Sequence, residues 1–191
     1  MLAQALYFVI ETLLGLLSIA LLLRFYLQLT NAPFHNPISQ AVVKVTTFAV
    51  RPARRFIPSW RGLDLSTILL AYLAQLLLRF AGLLLDGYPI FVAGMPVYLA
   101  ILGLAVISLL KLSAYIFLYA TVIQAVLSWI QPFSPAAPVL DSLTRPILEP
   151  IRRVLKNTSG IDFSPLVAFL LIQVAMMVVL APIERQLAVL L

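Results

Sequence analysis

The sequence contains no cysteine, which excludes disulfides, thiolate nucleophiles and cysteine-held zinc or iron–sulfur centres together. Histidine is nearly absent: His35 stands alone, so one chain cannot assemble a multi-histidine metal site. Charge is scarce. Asp, Glu, Lys and Arg make up 10% of the 191 residues, against about a quarter in a soluble domain. No nucleophile–base pair, histidine cluster or carboxylate dyad is evident, so neither an enzyme nor a cofactor-binding protein is expected.

What the sequence has in excess is apolar surface. Hydrophobic residues make up 63% of the chain and the mean hydropathy is +1.08, too much for a water-facing exterior. The apolar residues fall into four runs: Ala5 to Leu29, Ser66 to Leu85, roughly Pro96 to Ile130, and Pro165 to Leu191. Each is long enough to cross a hydrocarbon core of about 30 Å at about 1.5 Å per residue. The third exceeds that need, and is expected to tilt or to lay its first turns on the surface. The N-terminal run follows Met-Leu-Ala-Gln, with no basic segment before it and no small-residue cleavage site after it, and reads as a retained span.

The cations are placed unevenly. Nine of the thirteen Lys and Arg fall in two windows, one with Lys44, Arg51, Arg54, Arg55 and Arg61, the other with Arg145, Arg152, Arg153 and Lys156. Both windows lie inside a pair of spans, and the segment from Asp86 to Met95 between the pairs has none. The positive-inside rule therefore puts the windows in the cytoplasm and both termini in the periplasm. Nucleic acid is not an expected partner, because neither a recognition helix nor stacking aromatics accompany the charge. Anionic lipid is.

The windows themselves have helical periodicity. Ile38, Ala41, Val42, Val45, Phe48 and Ala49 face one way, and Gln40, Lys44, Thr47 and Arg51 the other; Asn36-Pro37 supplies an N-cap and a first-turn proline. In the second window Ser134-Pro135 precedes an apolar face of Val139, Leu140, Leu143, Ile147, Ile151 and Val154, opposite Asp141, Arg145, Arg152 and Lys156. Interfacial amphipathic helices are expected over about 37–51 and 135–156, with Pro52 and Pro150 bending or ending them.

A shift of 98 residues superimposes the two windows without a gap. Pro37, Thr46, Pro52 and Arg54-Arg55 match Pro135, Thr144, Pro150 and Arg152-Arg153. Gly62, Asp64 and Ser66 match Gly160, Asp162 and Ser164; Leu73 and Gln75 match Leu171 and Gln173. Most of these are polar or helix-breaking residues, so shared hydrophobicity does not explain them. The fold expected is all-α: four transmembrane helices in two parallel tandem repeats, 1–95 and 96–191, each with an amphipathic helix between its spans.

The repeated Gly-x-Asp-x-Ser opens a span. Gly62 and Gly160 permit a turn with positive φ, and Asp64 and Asp162, or Ser66 and Ser164, can cap the helix that follows. The paired arginines lie close enough to bridge these aspartates or to hold lipid phosphate. A capped, lipid-anchored elbow is the expected role; a proton or cation site at the aspartates and a partner-docking surface are the alternatives.

Pro146 to Arg153 followed by Gly160 to Pro165, with Ser128-Trp129 and Pro132 before them, resembles the YggT family of bacterial membrane proteins, which has plastid relatives. The likeness covers nearly the whole chain in two copies. The first copy departs from the pattern: Ala53 replaces the isoleucine, Thr67 the proline after serine, and Thr30-Asn31 the Ser-Trp. The resemblance implies a small inner-membrane protein, with links in the family to osmotic and potassium homeostasis, cell-division gene neighbourhoods and, in plastids, cofactor assembly or nucleoid organisation.

Arg79 and Lys111 interrupt the second and third spans, where an unpaired charge costs about 3 kcal/mol or more. Either they line a polar path with Glu11, Asp86 and Gln75 or Gln173, or they snorkel outward with an ion-pair partner. Their equivalents 98 residues away are Met177 and Leu13, which argues against a symmetric pore. Two functions compete. One is a non-enzymatic scaffold, assembly or stress-response factor that docks other membrane proteins. The other is an ion (potassium) pathway or a modulator of ion uptake, which a chain with only four spans would build most readily as a homo-oligomer.

Overall fold

The computed structural model describes residues 1–57, 59, 62–92, 94–131, 133–155 and 162–191. Among them all regular structure is helical, with no strand. The order is α1 (Leu2–Leu29), α2 (Pro37–Ala53), α3 (Leu65–Leu85), a 3-10 turn (Ile90–Val92), α4 (Met95–Ile130), α5 (Ala137–Val154), α6 (Ser164–Ala175), a π-helical segment (Met176–Leu180) and α7 (Ala181–Ala188). The last three form one rod, Ser164–Ala188, and with α1, α3 and α4 it makes four helices long and apolar enough to cross a membrane. An apolar segment in lipid must satisfy its own backbone, which leaves the helix as its form.

Short polar signals set the helix ends. Asn36 Oδ1 accepts the Ile38 N–H at 2.9 Å, and Pro37 occupies the first turn of α2. Asn31, at φ 52°, closes α1: the Ala32 N–H returns to Leu27 O at 2.9 Å and the Asn31 N–H to Gln28 O at 3.2 Å. Gly87, at φ 75°, closes α3 in the same way, with Tyr88 N–H to Leu83 O at 2.9 Å and Gly87 N–H to Leu84 O at 3.1 Å. Both are Schellman closures, which need a residue tolerant of the left-handed region.

The expectation that Pro150 would bend or end its helix needs correcting as to the ending. Helix α5 runs through Pro146 and Pro150 to Val154. Both prolines lie on its exposed side, where the surroundings can satisfy the carbonyls they free. Pro52, in contrast, lies one residue from the end of α2. In the fourth rod, Pro182 lacks the N–H that an α-helix would use and crowds the preceding turn, which accounts for the wider π segment before it.

Helix α4 is the axis of the bundle: 44% of its most apolar window is buried, against 11–22% for the other three. At 36 residues it is about 54 Å long, well beyond a hydrocarbon core of about 30 Å. Helix α1 packs along α3, the fourth rod packs on α4, and α3 and α1 meet α4 across the middle. A core of Leu21, Leu22, Val50, Ala71, Ile116, Ala120 and Leu143 ties α1 to α5 together at one end. A second cluster of Ile90, Val97 and Ile101 closes the other end. The outer faces carry exposed Leu13, Leu16, Leu73, Leu77, Leu166 and Leu170, as lipid as solvent requires.

Candidate functional site

At the first elbow, Gly62 takes φ 82°, a conformation that a Cβ would strain, and turns the chain into α3. Asp64 follows and is 2% exposed. Its Oδ2 accepts from Arg54 Nε at 2.7 Å and lies 2.6 Å from Arg54 Nη2, a forked ion pair. Its Oδ1 accepts from the Ser66 hydroxyl, its N–H donates to Gln28 Oε1 at 3.2 Å, and its carbonyl accepts from Thr67 Oγ1 at 2.6 Å. The side chain makes no capping bond to a backbone N–H of α3. Asp64 is therefore a buried arginine partner and a polar hub, and Ser66 and Thr67 orient around it. Arg54, Gln28, Ile57, Ser59, Gly62 and Asp64 line a cavity of about 410 Å³.

The second elbow uses the same residue types differently. Arg152 Nε donates to Asp162 Oδ2 at 2.9 Å, but the Asp162 side chain is 36% exposed. Its Oδ1 accepts the Ser164 N–H at 2.9 Å, so this aspartate does cap the helix that follows. Burial pushes its pKa up, but the Ser164 hydrogen bonds and the Arg152 guanidinium outweigh that and hold it below the ordinary carboxylate value. Arg153 pairs with Glu149 at 2.6 Å and Arg145 with Asp141 at 2.8 Å, both one helical turn apart on α5. Lys156 and Gly160 lie outside the described residues. Arg51 and Arg55 are exposed at the end of α2.

The intramembrane cations are brought together. Lys111 Nζ lies 2.8 Å from Glu184 Oε2, and Arg79 Nη2 lies 3.6 Å from Glu184 Oε1. Arg79 also donates to Ser108 Oγ, from Nη2 at 2.7 Å and from Nε at 3.2 Å. One carboxylate on α7 thus bridges cations on α3 and α4. These two cations, Glu11, Gln75, Ser108 and Tyr7 line a cavity of about 250 Å³. Glu11 and Glu184 balance Arg79 and Lys111 in charge, which lowers the cost of placing all four in a span. Gln75 donates to Ser18 Oγ at 3.0 Å, whereas Gln173 is exposed on the fourth rod. Asp86 caps the end of α3 and does not line this cavity.

Sequence reasoning missed two participants. Glu184 was visible only as a late charge in the fourth span, and its pairing depends on how α7 packs on α4. Gly103 allows that approach, since a Cβ there would lie 2.9 Å from Leu187 Cδ1. Arg24 was visible as a charge near the end of the first span. It is 5% exposed, between α1 and α2, with Nη1 donating to Thr46 Oγ1 at 2.9 Å.

Four helices long and apolar enough to span a membrane are consistent with a multi-pass membrane protein. Within that class the chain belongs to the CCB3/YggT family, whose profile matches it twice, over residues 3–85 and 103–183. An uncharacterized protein of Pseudomonas aeruginosa is 38% identical over 175 residues, covering 91% of this chain and 87% of the relative. An uncharacterized protein encoded in the proC 3′ region of Vibrio alginolyticus is 38% identical, covering 88% and 89%. The uncharacterized protein YggT of Escherichia coli K12 is 34% identical, covering 90% and 87%. No solved structure matches the chain.

Proposed function

We propose that the protein is a non-enzymatic scaffold or assembly factor of the bacterial inner membrane, serving osmotic homeostasis or cell division. It consists of two parallel tandem repeats, 1–95 and 96–191, with both termini in the periplasm. Its basic helices α2 and α5 lie in the cytoplasmic interface among anionic head groups. One observation carries the reading. Each of these helices lies between two candidate spans and buries one side against the bundle (Ser39, Thr46 and Val50 in α2; Val139, Leu143, Thr144 and Leu148 in α5). The other side exposes Arg51, with Arg55 exposed just past the end of α2, or Arg145 and Arg153. Such a helix is anchored on one side and presents arginine on the other, with Arg145 and Arg153 partly offset by Asp141 and Glu149; this suits lipid phosphate and leaves the exposed apolar faces of the spans free for other membrane proteins or a second copy. The two family matches support the duplication.

The lipids co-extracted with full-length protein in polymer nanodiscs test the reading. Wild type should be enriched in anionic lipid over the bulk membrane, and a variant with Arg55, Arg145 and Arg153 all changed to Gln should lose most of that enrichment. Equal enrichment in the two counts against the anchor.

A second reading rests on the cavity shared by Glu11, Arg79 and Lys111. Charged groups facing a cavity inside a span are suited to an ion path or to modulating ion uptake. Potassium flux in liposomes above the leak of protein-free liposomes, abolished by Lys111→Met, would make transport the better reading.

A further inference from the structure

Arg24 is a buried cation that no carboxylate reaches. All seven acidic side chains of the protein lie among the described residues, and none is within 4.0 Å of the Arg24 guanidinium. Its bonds are to neutral oxygens: Thr46 Oγ1 at 2.9 Å, with longer contacts to Val43 O and Thr47 Oγ1, both at 3.4 Å. Its Nε is buried and has no acceptor. A buried guanidinium without a counter-charge is unfavourable in any medium less polar than water. It also lines a cavity of about 360 Å³ with Thr47, Val50, Arg51 and Arg54. Three arginines therefore line one space, and a single carboxylate, Asp64, offsets them through Arg54.

The second half of the chain shows that the elbow does not need this cluster. Ninety-eight residues on, Val122 stands for Arg24, Glu149 for Arg51 and Arg152 for Arg54. Thr144, the counterpart of Thr46, donates to the neutral amide of Gln124. That half pairs Arg152 with Asp162 and holds no buried cation among its described residues. The excess charge of the first half is thus dispensable for the ion pair.

We propose that Arg24, Arg51 and Arg54, with Thr47, bind a phosphate-bearing anion where α1 meets α2. The cluster's surplus of two positive charges matches a phosphodiester or a phosphate monoester. The planar guanidinium fork fits two phosphate oxygens at once, and the Thr47 hydroxyl adds a donor. The site lies five residues from the end of α1, at about 8 Å, which is head-group depth for a spanning helix. The anion is either a lipid head group or a free phosphate compound. The inference shares Arg51 with the anchor proposed above but not Arg24, Arg54 or Thr47, and the anchor's Arg55, Arg145 and Arg153 lie outside this cavity, so the two can fail separately.

Thermal unfolding of the full-length protein in neutral detergent and phosphate-free buffer, followed by tryptophan fluorescence, tests it. Three titrants are compared: phosphatidylglycerol, inorganic phosphate and a diacylglycerol of the same chains. The proposal requires saturable stabilisation by at least one phosphate-bearing titrant and not by diacylglycerol. Stabilisation by the lipid alone assigns a head group; stabilisation by inorganic phosphate assigns a free phosphate compound. Arg24→Gln and Arg51→Gln should each raise the apparent Kd at least tenfold, and Arg185→Gln, an exposed position on α7 outside this cavity, should leave it unchanged. Arg51 is exposed, so its variant reports even if Arg24→Gln fails to fold. Absence of saturable stabilisation, an equal response to diacylglycerol, or an unchanged Kd in Arg51→Gln would overturn the proposal.

Discussion

Glu184 Oε2 sits 2.8 Å from Lys111 Nζ, and the same carboxylate lies 3.6 Å from Arg79. The three side chains belong to the fourth, third and second candidate spans, so one acidic group holds three helices in register. Glu184→Gln leaves two cations facing each other. Because all three side chains are between a quarter and two-fifths exposed, we expect a loss of about 1–3 kcal/mol, below the figure for a fully buried pair. Glu184→Gln with Lys111→Met should recover much of it, since the unpaired charge is removed with its partner. Melts of the single and double variants check this; a double variant no better than the sum of the singles would deny the coupling.

The two elbow aspartates should respond differently to Asn. Asn caps a helix about as well as Asp, so Asp162→Asn keeps the Ser164 bond and should cost less than about 1 kcal/mol. Asp64 has no cap to preserve, is 2% exposed and answers Arg54 through a fork. Asp64→Asn removes that counter-charge beside a cavity lined by three arginines; because the Arg54 side chain is 48% exposed and stays partly solvated, the cost should be about 1–3 kcal/mol. Thermal melts of both variants in one detergent decide it; equal losses would mean that the elbows do the same work.

The lowered pKa of Asp162 has a consequence in acid. A carboxyl that is easier to ionise in the folded state contributes stability above its unfolded pKa, and that contribution is lost as pH falls through the folded value. The Tm difference between wild type and Asp162→Ala should be constant above about pH 5 and shrink below about pH 4. A difference that stays constant down to pH 3 would assign the role of Asp162 to shape and not to charge.

The spans were legible because composition and length alone define them. Ser66 to Leu85 was expected and Leu65–Leu85 found; Pro96 to Ile130 was expected and Met95–Ile130 found. At the fourth span the expected end was Leu191, and the rod ends at Ala188. Local chemistry was legible where its partners are near in sequence, as with Asn36 over Ile38 and Arg54 with Asp64, ten residues apart. It failed where partners are distant. Glu184 lies 73 residues from Lys111, and no local pattern links them. No local pattern marks Arg24 either, because its burial is set by α2 folding back over it, 22 residues later at Thr46. The two aspartates share a motif and differ in surroundings for a related reason. A matched motif fixes residue types but not burial, and burial decides whether a carboxylate caps a helix or neutralises an arginine.

Orientation can be settled with single cysteines, because the chain has none of its own. Asp86 is exposed just past the end of α3, in the segment without Lys or Arg, and Arg55 is exposed just past the end of α2. These positions lie at opposite ends of α3, which at 21 residues is about 32 Å long. In inside-out membrane vesicles an impermeant maleimide should label Arg55→Cys and not Asp86→Cys, and in intact spheroplasts the pattern should reverse. The charge asymmetry that motivates this is strong: nine cations in the two segments inside the span pairs, against none between Asp86 and Met95. If Asp86→Cys were labelled from the cytoplasmic side, α2 and α5 would face the periplasm, and cytoplasmic-leaflet lipid could not be what their arginines meet.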